Sequence, residues 1–202
     1  MDEGAGGTVA EKPRTLARRK QVLEAAARCF RRHGFHACSM AEISAEAGMS
    51  VGHIYRYFTG KEAIIAAIVR GDVDEILTKM AQFPLDQPNL RDTLIGGIEQ
   101  AVINEMEPGQ STLMIEIRAE AARNPAIAAM VREADAKISE QLCRIVGIAV
   151  GRDLDPTDLA ARVEMFHLIF QGLALRAVIN PDVDRQALAR RVRLSIEAVL
   201  AP

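Results

Sequence analysis

The chain has 202 residues, of which 49% are hydrophobic and 4% aromatic, and its formal net charge is −2. This length suits one large domain or a small domain joined to a medium one, and the composition favours helices. No apolar run reaches the roughly 18 residues that a membrane-spanning helix needs, so we expect no membrane partner. No signal peptide is visible at the amino terminus, so we expect a cytoplasmic protein.

Charge is distributed unevenly along the chain. Residues 12–61 contain ten basic and three acidic side chains and therefore carry +7, although the whole chain carries −2. A basic segment joined to a mildly acidic remainder is typical of a nucleic-acid-binding module fused to a non-binding module. A solvated run of charges without a partner is the alternative.

The three cysteines, Cys29, Cys38 and Cys143, lack the spacing of a metal site. In a reducing cytosol we expect all three to be thiols that fill small apolar spaces, with redox sensing through Cys38 as the alternative. The sequence contains no Gly-rich phosphate loop, metal-ligand spacing or nucleophile elbow. We therefore expect no cofactor, no metal and no enzymatic activity.

The amino-terminal third begins with a polar, Gly-rich segment. Residues 1–13 are predicted to form a disordered arm. Thr15 is predicted to cap a first helix that runs to about Arg32 and is closed by Gly34.

Residues 39–61 predict two short helices joined by a tight turn. Ser39 is a good N-cap, and Glu42 three residues later completes a capping box. Gly48 stands where a helix end needs a left-handed residue, and Ser50 caps the second helix. A helix, a short turn and a second helix form a helix-turn-helix, whose second helix enters the major groove of DNA.

Residues 22–64 resemble the amino-terminal DNA-binding domain of the TetR family of bacterial transcriptional repressors. The resemblance rests on an Ala-rich first helix ending in Phe30, then Gly34-Phe35, Ser39-Met40, Ile43, Ala47-Gly48, Ser50, Gly52, Ile54-Tyr55, Tyr57-Phe58 and Lys61-Glu62. Over the rest of the chain it rests only on length and helical pattern. The resemblance implies an all-α fold of about nine helices, with a helix-turn-helix domain over residues 14–60 and a helical ligand-binding and dimerisation domain over residues 61–202.

The resemblance also implies which side chains contact DNA. Val51, Gly52 and His53 begin the recognition helix: Val51 contacts a thymine methyl, His53 bonds a purine acceptor, and Gly52 permits close approach. Arg56 is expected to bond guanine or a phosphate. The remaining expected contacts are to phosphates, from Ser39, Ser50, Tyr55, Tyr57 and Lys61. A buried, structural His53 is the alternative.

Beyond the helix-turn-helix, helical periodicity and capping residues predict six further helices. They cover residues 61–82, 90–106, 111–123, 125–150, 156–179 and 184–200. Pro108-Gly109 is expected to separate the helix over residues 90–106 from the next helix, which Ser111 caps. Asn124-Pro125 and Asp155-Pro156 each mark a capped helix start with proline in the first turn.

The last two of these helices carry apolar seams with coiled-coil-like spacing. The residues of these seams that we expect at a dimer interface are Phe166, Phe170, Leu173, Leu188, Val192, Ile196 and Val199. Such seams suit a two-fold four-helix bundle between subunits, so we expect a homodimer. The alternative is that both seams pack on the body of the same chain.

The body is expected to enclose a ligand cavity between its helices. The residues predicted to line it are Met80, Met106, Met114, Ile117, Met130, Met165, His167 and Gln171. Glu164, His167 and Gln171 form a polar strip on one helix, which points either into the cavity or to solvent.

The predicted function is a ligand-responsive, DNA-binding transcriptional regulator. We expect a repressor that binds a palindromic operator in double-stranded DNA as a homodimer and is released by an unknown small-molecule inducer. Two alternatives remain open. One is an interaction protein whose amino-terminal module binds a protein partner, and the other is an enzyme with a cavity near Glu164 and His167.

Overall fold

A computed structural model describes residues 13–151 and 154–201, so residues 1–12 of the predicted arm lie outside the described residues. Across the described residues the fold is all-α, as predicted, with nine helices. These are α1 Pro13–Ala37, α2 Met40–Ala47, α3 Val51–Ile54, α4 Lys61–Met80, α5 Leu90–Glu105, α6 Pro108–Ala121, α7 Pro125–Val150, α8 Pro156–Ile179 and α9 Arg185–Val199. None of the described helices combines the length and the apolar character that crossing a bilayer requires. The chain divides into two compact units after Ile64, which we call the head (residues up to 64) and the body (65 onward).

The caps of α2 and α3 form as predicted. The Glu42 backbone N–H donates to Ser39 Oγ at 3.1 Å, and the Ser39 N–H donates to Glu42 Oε2 at 2.6 Å, which completes the capping box. That backbone hydrogen bond to the carboxylate lowers the pKa of Glu42 below its ordinary value. Gly48 closes α2 at φ 61°, and the His53 N–H donates to Ser50 Oγ at the start of α3.

Two helix starts differ from the predictions because proline is well placed in a first turn, where its missing N–H leaves no bond unmade. Helix α1 begins at Pro13, so Thr15 lies inside it and is not its cap. Helix α6 begins at Pro108, where we predicted a break. Ser111 is therefore inside α6, and its hydroxyl donates to the Glu105 and Glu107 carbonyls of the preceding turn.

Cys29 and Cys38 form a disulfide, so the prediction of three thiols is wrong for this pair, and Cys143 is the free cysteine. In an unbroken helix, residues nine positions apart lie about 13 Å from each other. Gly34, at φ 75°, breaks α1 between the two cysteines and turns the chain back, which brings their Cα atoms to 6.0 Å.

The body is built around a core shared by α5, α7, α8 and α9. Helix α5 packs along α9, while α6 packs against α7 and α8. The seam residues of α8 and α9 lie in this core: Phe166, Leu173, Val192 and Ile196 are buried, and Phe170, Leu188 and Val199 are partly buried against them. The four buried side chains are enclosed within one chain, so of the predicted interface residues Phe170, Leu188 and Val199 keep surface that a second copy could cover.

Helix α8 carries a second apolar row on its outer side. We call Met165, Leu168, Leu175 and Ile179 the outer α8 row; their exposed fractions are 43, 58, 47 and 60%. Each stands two residues after a buried residue of α8, namely Val163, Phe166, Leu173 and Ala177, and two residues along a helix correspond to a rotation of about 200°. Both faces of α8 are therefore apolar, and the body uses only the inner face for its own core.

Two arginines close the carboxyl end of α9, where helix carbonyls lack intrahelical donors. Arg162 donates to the Val199 and Ala201 carbonyls at 2.6 Å, and Arg91 Nε donates to the Leu200 carbonyl at 2.9 Å. These bonds tie α5 and α8 to the end of α9.

Replacing Arg162 by methionine is expected to lower the free energy of unfolding by about 1.5–3 kcal/mol, because two partly buried carbonyls lose a charged donor. Urea denaturation followed by circular dichroism measures the change. The control is R190M, on the exposed side of α9, which should stay within about 0.5 kcal/mol of the original protein. Equal denaturation midpoints for R162M and R190M would contradict the expectation.

Candidate nucleic-acid interface

The head presents α3 with one side anchored and the other open. Ile54 and Phe58 are 0% and 3% exposed and fix α3 and the turn after it to the core of the head. The Arg19 guanidinium covers this anchor, since it lies 4.6 Å from the Phe58 ring centroid and donates to the Tyr57 carbonyl. The start of α3 and the residues just after it are thereby held in one orientation.

The predicted DNA contacts differ in exposure. Ser39, Ser50, Gly52, Tyr55 and Arg56 are exposed, whereas Val51, His53, Tyr57 and Lys61 are partly buried. A Cβ placed on Gly52 would meet no atom within 4 Å. The packing of the head itself therefore does not require glycine at this position.

His53 and Tyr57 are joined to each other. His53 Nε2 lies 3.1 Å from the Tyr57 hydroxyl, and the two ring centroids are 5.4 Å apart. This bond holds both side chains on the same side of α3 and its following turn. It restricts the rotamers of a predicted base contact and a predicted phosphate contact together.

Lys61 has partners inside the head, which sequence reasoning missed. Its ammonium donates to the Phe35 carbonyl at 2.8 Å and to the His36 carbonyl at 3.4 Å, and it lies 4.5 Å from the Phe35 ring centroid. A lysine that opens a helix carries no local sign of these contacts, because its partners stand 25 and 26 residues earlier. Lys61 therefore fastens the end of α1 to the start of α4.

Part of the basic charge of the head is neutralised internally. Arg28 and Arg32 bind the two oxygens of Glu46 at 2.6 and 3.0 Å, which joins α1 to α2. The Arg28 hydrogen bond lowers the pKa of Glu46, so the pair stays ionised at neutral pH. Arg14, Arg31 and Arg56 are exposed and remain the more direct candidates for phosphate contacts.

The predicted ligand-binding residues do not line one cavity in the body. Met106 and Ile117 are buried in the packed interior, whereas Met165 and Gln171 are exposed. Met80 and Met114 are partly buried. Met130 lines a small pocket between α4 and α7 with a volume of about 110 Å³. The predicted residues thus differ in burial, because the helical period alone does not show which face of a helix turns inward, and their role in ligand binding stays a prediction.

The three residues of the polar strip on α8, Glu164, His167 and Gln171, also differ in burial. His167 is only 11% exposed, and its Nε2 lies 2.8 Å from Ser139 Oγ of α7. Its Nδ1 lies 3.6 Å from Asp135, one turn earlier on α7. Glu164 and Gln171 are exposed. His167 thus joins α7 to α8, whereas Glu164 and Gln171 face solvent.

Glu105, at the end of α5, is a carboxyl that burial holds partly protonated. Removal from water is the main cause that raises its pKa, Arg118 and Lys79 oppose the shift, Asp72 adds to it, and the net pKa is about 7. Because the folded pKa exceeds the ordinary value, the body binds the proton more tightly than the unfolded chain does.

Stability of the body is therefore expected to fall as pH rises from about 4.5 to 7 and to level off above that range. Glu105→Gln keeps the shape without the charge, so it should remove this slope and stabilise the protein at pH 8 by about 1–2 kcal/mol. Denaturant unfolding from pH 5 to 8 measures both effects. Glu140→Gln, at an exposed position of α7, is the control. If the dependence of stability on pH were unchanged in E105Q, Glu105 would not be its cause.

The head thus has the geometry of a helix-turn-helix, with an anchored recognition helix whose start faces outward, on an all-α chain. This defines the class of the protein as a helix-turn-helix DNA-binding regulator. Residues 22–68 match the profile described as bacterial regulatory proteins of the tetR family, and residues 98–201 match that of the BetI-type transcriptional repressor, C-terminal. The chain belongs to the TetR family of transcriptional regulators.

Individual relatives agree with this assignment. The chain is 34% identical over 122 residues to the HTH-type transcriptional regulator UidR of Escherichia coli K12, an alignment that covers 60% of this chain and 61% of UidR, less than two thirds of that relative. It is similar to the structure of Salmonella enterica GusR at 28% identity and a TM-score of 0.76, with 94% and 97% of the two chains covered. Bacillus subtilis FadR, solved in complex with stearoyl-CoA, shares the fold at 18% identity and a TM-score of 0.74, with 89% and 98% covered. UidR and FadR are both described as transcriptional regulators.

Proposed function

We propose that this regulator is a repressor, that it binds a two-fold symmetric operator as a homodimer, and that a small molecule bound in the body releases it. The observation that carries the proposal is α3, which is anchored through Ile54 and Phe58 and leaves Gly52, Tyr55 and Arg56 exposed. The match of the carboxyl-terminal half to a transcriptional repressor supports repression over activation.

For DNA recognition, the start of α3 is proposed to enter the major groove. Val51 and His53 lie there beside Gly52, and a side chain at either position reaches base edges when the helix backbone comes close. Ser39 and Ser50 are exposed at the amino ends of α2 and α3, where hydroxyl and N–H groups suit phosphate oxygens. Arg56 supplies a charged donor on the same exposed surface.

For dimerisation, the outer α8 row is proposed to pack against the same row of a second copy. Together with Ala161 and Gly172, both exposed, its residues follow a spacing of four and three along α8. That repeat is typical of helices that pack side by side in bundles, and the small side chains allow close approach. Leu194 of α9 is also exposed and extends the apolar surface. Two-fold symmetry of the protein then matches two operator half-sites.

For induction, the small molecule is proposed to bind the conformation of the body that does not fit the operator. A ligand shifts an equilibrium only through its differential affinity for the two states. The pocket beside Met130, at about 110 Å³, is smaller than the roughly 300–1,000 Å³ of sites for drug-sized molecules. The inducer site is therefore expected to open when the ligand binds.

An electrophoretic mobility shift with DNA from upstream of the regulator's own gene tests the proposal. We expect a retarded band with the stoichiometry of a dimer, and steep weakening of binding as salt rises from 50 to 200 mM, by about 10³-fold for some six phosphate contacts. Absence of any retarded band at low salt would end the proposal. A partner captured from extract with little salt dependence would favour the alternative in which the head binds a protein.

A further inference from the structure

We propose that Cys29 and Cys38 are a reversible thiol–disulfide pair that small peroxides oxidise, and that its oxidation tightens DNA binding by the head. The disulfide formation stands on the geometry of the head alone, whereas its effect on DNA rests on the proposed function. Cys143 belongs to the body and takes no part.

The two sulfur atoms are placed for an intramolecular bond. The cysteine Cα atoms lie 6.0 Å apart, inside the range that disulfides occupy without movement of the backbone. Gly34 turns the chain between them at φ 75°. A disulfide in a protein of a reducing compartment is usually transient and serves catalysis or redox sensing, so this pair need not be a permanent structural link.

Both cysteines are buried, but only Cys29, at 4% exposed, borders a pocket that opens to solvent. Cys29 lines an open pocket of about 370 Å³ together with Arg32, His33, Glu42 and Glu46. Cys38 is 0% exposed. A small oxidant therefore reaches Cys29 first, and Cys38 is positioned to resolve the product. The pocket holds charges of both signs, so a thiolate that forms there has cationic neighbours.

The chemistry balances with one peroxide for each pair. The Cys29 thiolate attacks the peroxide O–O bond, which gives a sulfenic acid on Cys29 and releases an alcohol, or water from hydrogen peroxide. The Cys38 thiolate then attacks that sulfur, the S–S bond forms, and the sulfenic oxygen leaves as water. The two cysteines lose two electrons and two protons, and the peroxide gains them. A small thiol or dithiol reverses the reaction by exchange.

The position of Cys38 links the bond to DNA recognition. Cys38 directly precedes Ser39, the N-cap of α2, whose side chain and backbone both take part in the capping box. Cross-linking Cys38 to α1 restricts the start of α2 in the free protein. Part of the ordering that DNA binding requires is then already complete, which favours binding by preorganisation.

Full-length protein carrying Cys143→Ser tests the pair without interference from the third cysteine. The protein is reduced with dithiothreitol and desalted into buffer that contains a chelator. The chelator is needed because Glu42 lies within 4.8 Å of both sulfurs, and a metal bound there would mask the thiols. The protein is then treated with hydrogen peroxide. Thiol counting under denaturing conditions should fall from two to zero, peptide mapping should show the 29–38 link, and dithiothreitol should restore both thiols. Persistence of two thiols, or oxidation only to sulfinic acid, would overturn the proposal.

The effect on DNA is measured with the same two preparations. The oxidised protein is expected to bind operator DNA about three- to tenfold more tightly than the reduced protein. The double variant Cys29→Ser/Cys38→Ser should bind operator DNA with the same affinity before and after peroxide. Circular dichroism checks that this variant is folded. If it is not folded, the comparison of oxidised and reduced protein still tests the proposal. Equal affinities of the two states would refute the regulatory effect. Absence of DNA binding in both states would instead refute the proposed function and leave the mapped disulfide intact.

Discussion

Replacing Leu168 and Leu175 together by glutamate is expected to convert the proposed homodimer into monomers and to weaken operator binding at least about 100-fold, because two linked half-site contacts become two separate ones. Both side chains belong to the outer α8 row and are 58% and 47% exposed in the single chain. Folding of the monomer should therefore tolerate the change, whereas four carboxylates at a two-fold interface repel each other and lose water.

Light scattering coupled to size-exclusion chromatography measures the mass, and fluorescence anisotropy with labelled DNA measures affinity. Ala129→Glu/Ala136→Glu is the matched control, since it adds the same charge at the same seven-residue spacing on exposed positions of α7. The control is expected to remain dimeric. A dimer of unchanged affinity in L168E/L175E would remove the outer α8 row from the interface.

Ile54 and Arg56 are two residues apart, but their replacement by alanine is expected to affect different properties. Ile54→Ala should lower the stability of the head, and Arg56→Ala should weaken DNA binding. Ile54 is 0% exposed, so its truncation leaves a cavity and should cost about 2–5 kcal/mol, enough to unfold much of a unit this small. Arg56 is exposed, and its truncation should leave stability within about 0.5 kcal/mol. Loss of a guanine or phosphate contact should weaken binding by about 1–3 kcal/mol, or roughly 5- to 150-fold.

Thermal unfolding and DNA titration of both variants provide the measurements. Repeating the Arg56→Ala titration on operators with single base changes then distinguishes its two proposed roles. A lost base contact relaxes the preference at one position, whereas a lost phosphate contact weakens all sequences alike. Wild-type stability of I54A would show that α3 is not anchored as described, and wild-type affinity of R56A would remove that arginine from the contact surface.

The helix-turn-helix was predictable from the sequence because its determinants are local. The Ser39–Glu42 capping box spans four residues, and Gly48 supplies the left-handed conformation that ends α2. The same holds for Asn124 and Asp155, which cap α7 and α8 as predicted. The resemblance to the TetR family rests on such positions in the head, and the family assignment confirms it.

Features that depend on distant parts of the chain were not predictable. Nothing local pairs Cys29 with Cys38 or directs Lys61 to the Phe35 carbonyl, because the turn at Gly34 and the packing of the head decide both. The burial of the predicted ligand-lining residues was not predictable for a related reason, since the helical period is the same whether a methionine faces the core or solvent.

Sequence by itself determined the helices, the caps of α2, α3, α7 and α8, and the regulatory class of this protein, since each follows from interactions within a few residues or from a motif in register. Tertiary structure decided which side of α8 became core. Both of its faces are apolar, so periodicity could not choose between Phe166 and Leu168. Packing against α5, α7 and α9 buries the first and leaves the second exposed, because only one face of a helix can lie against the same core.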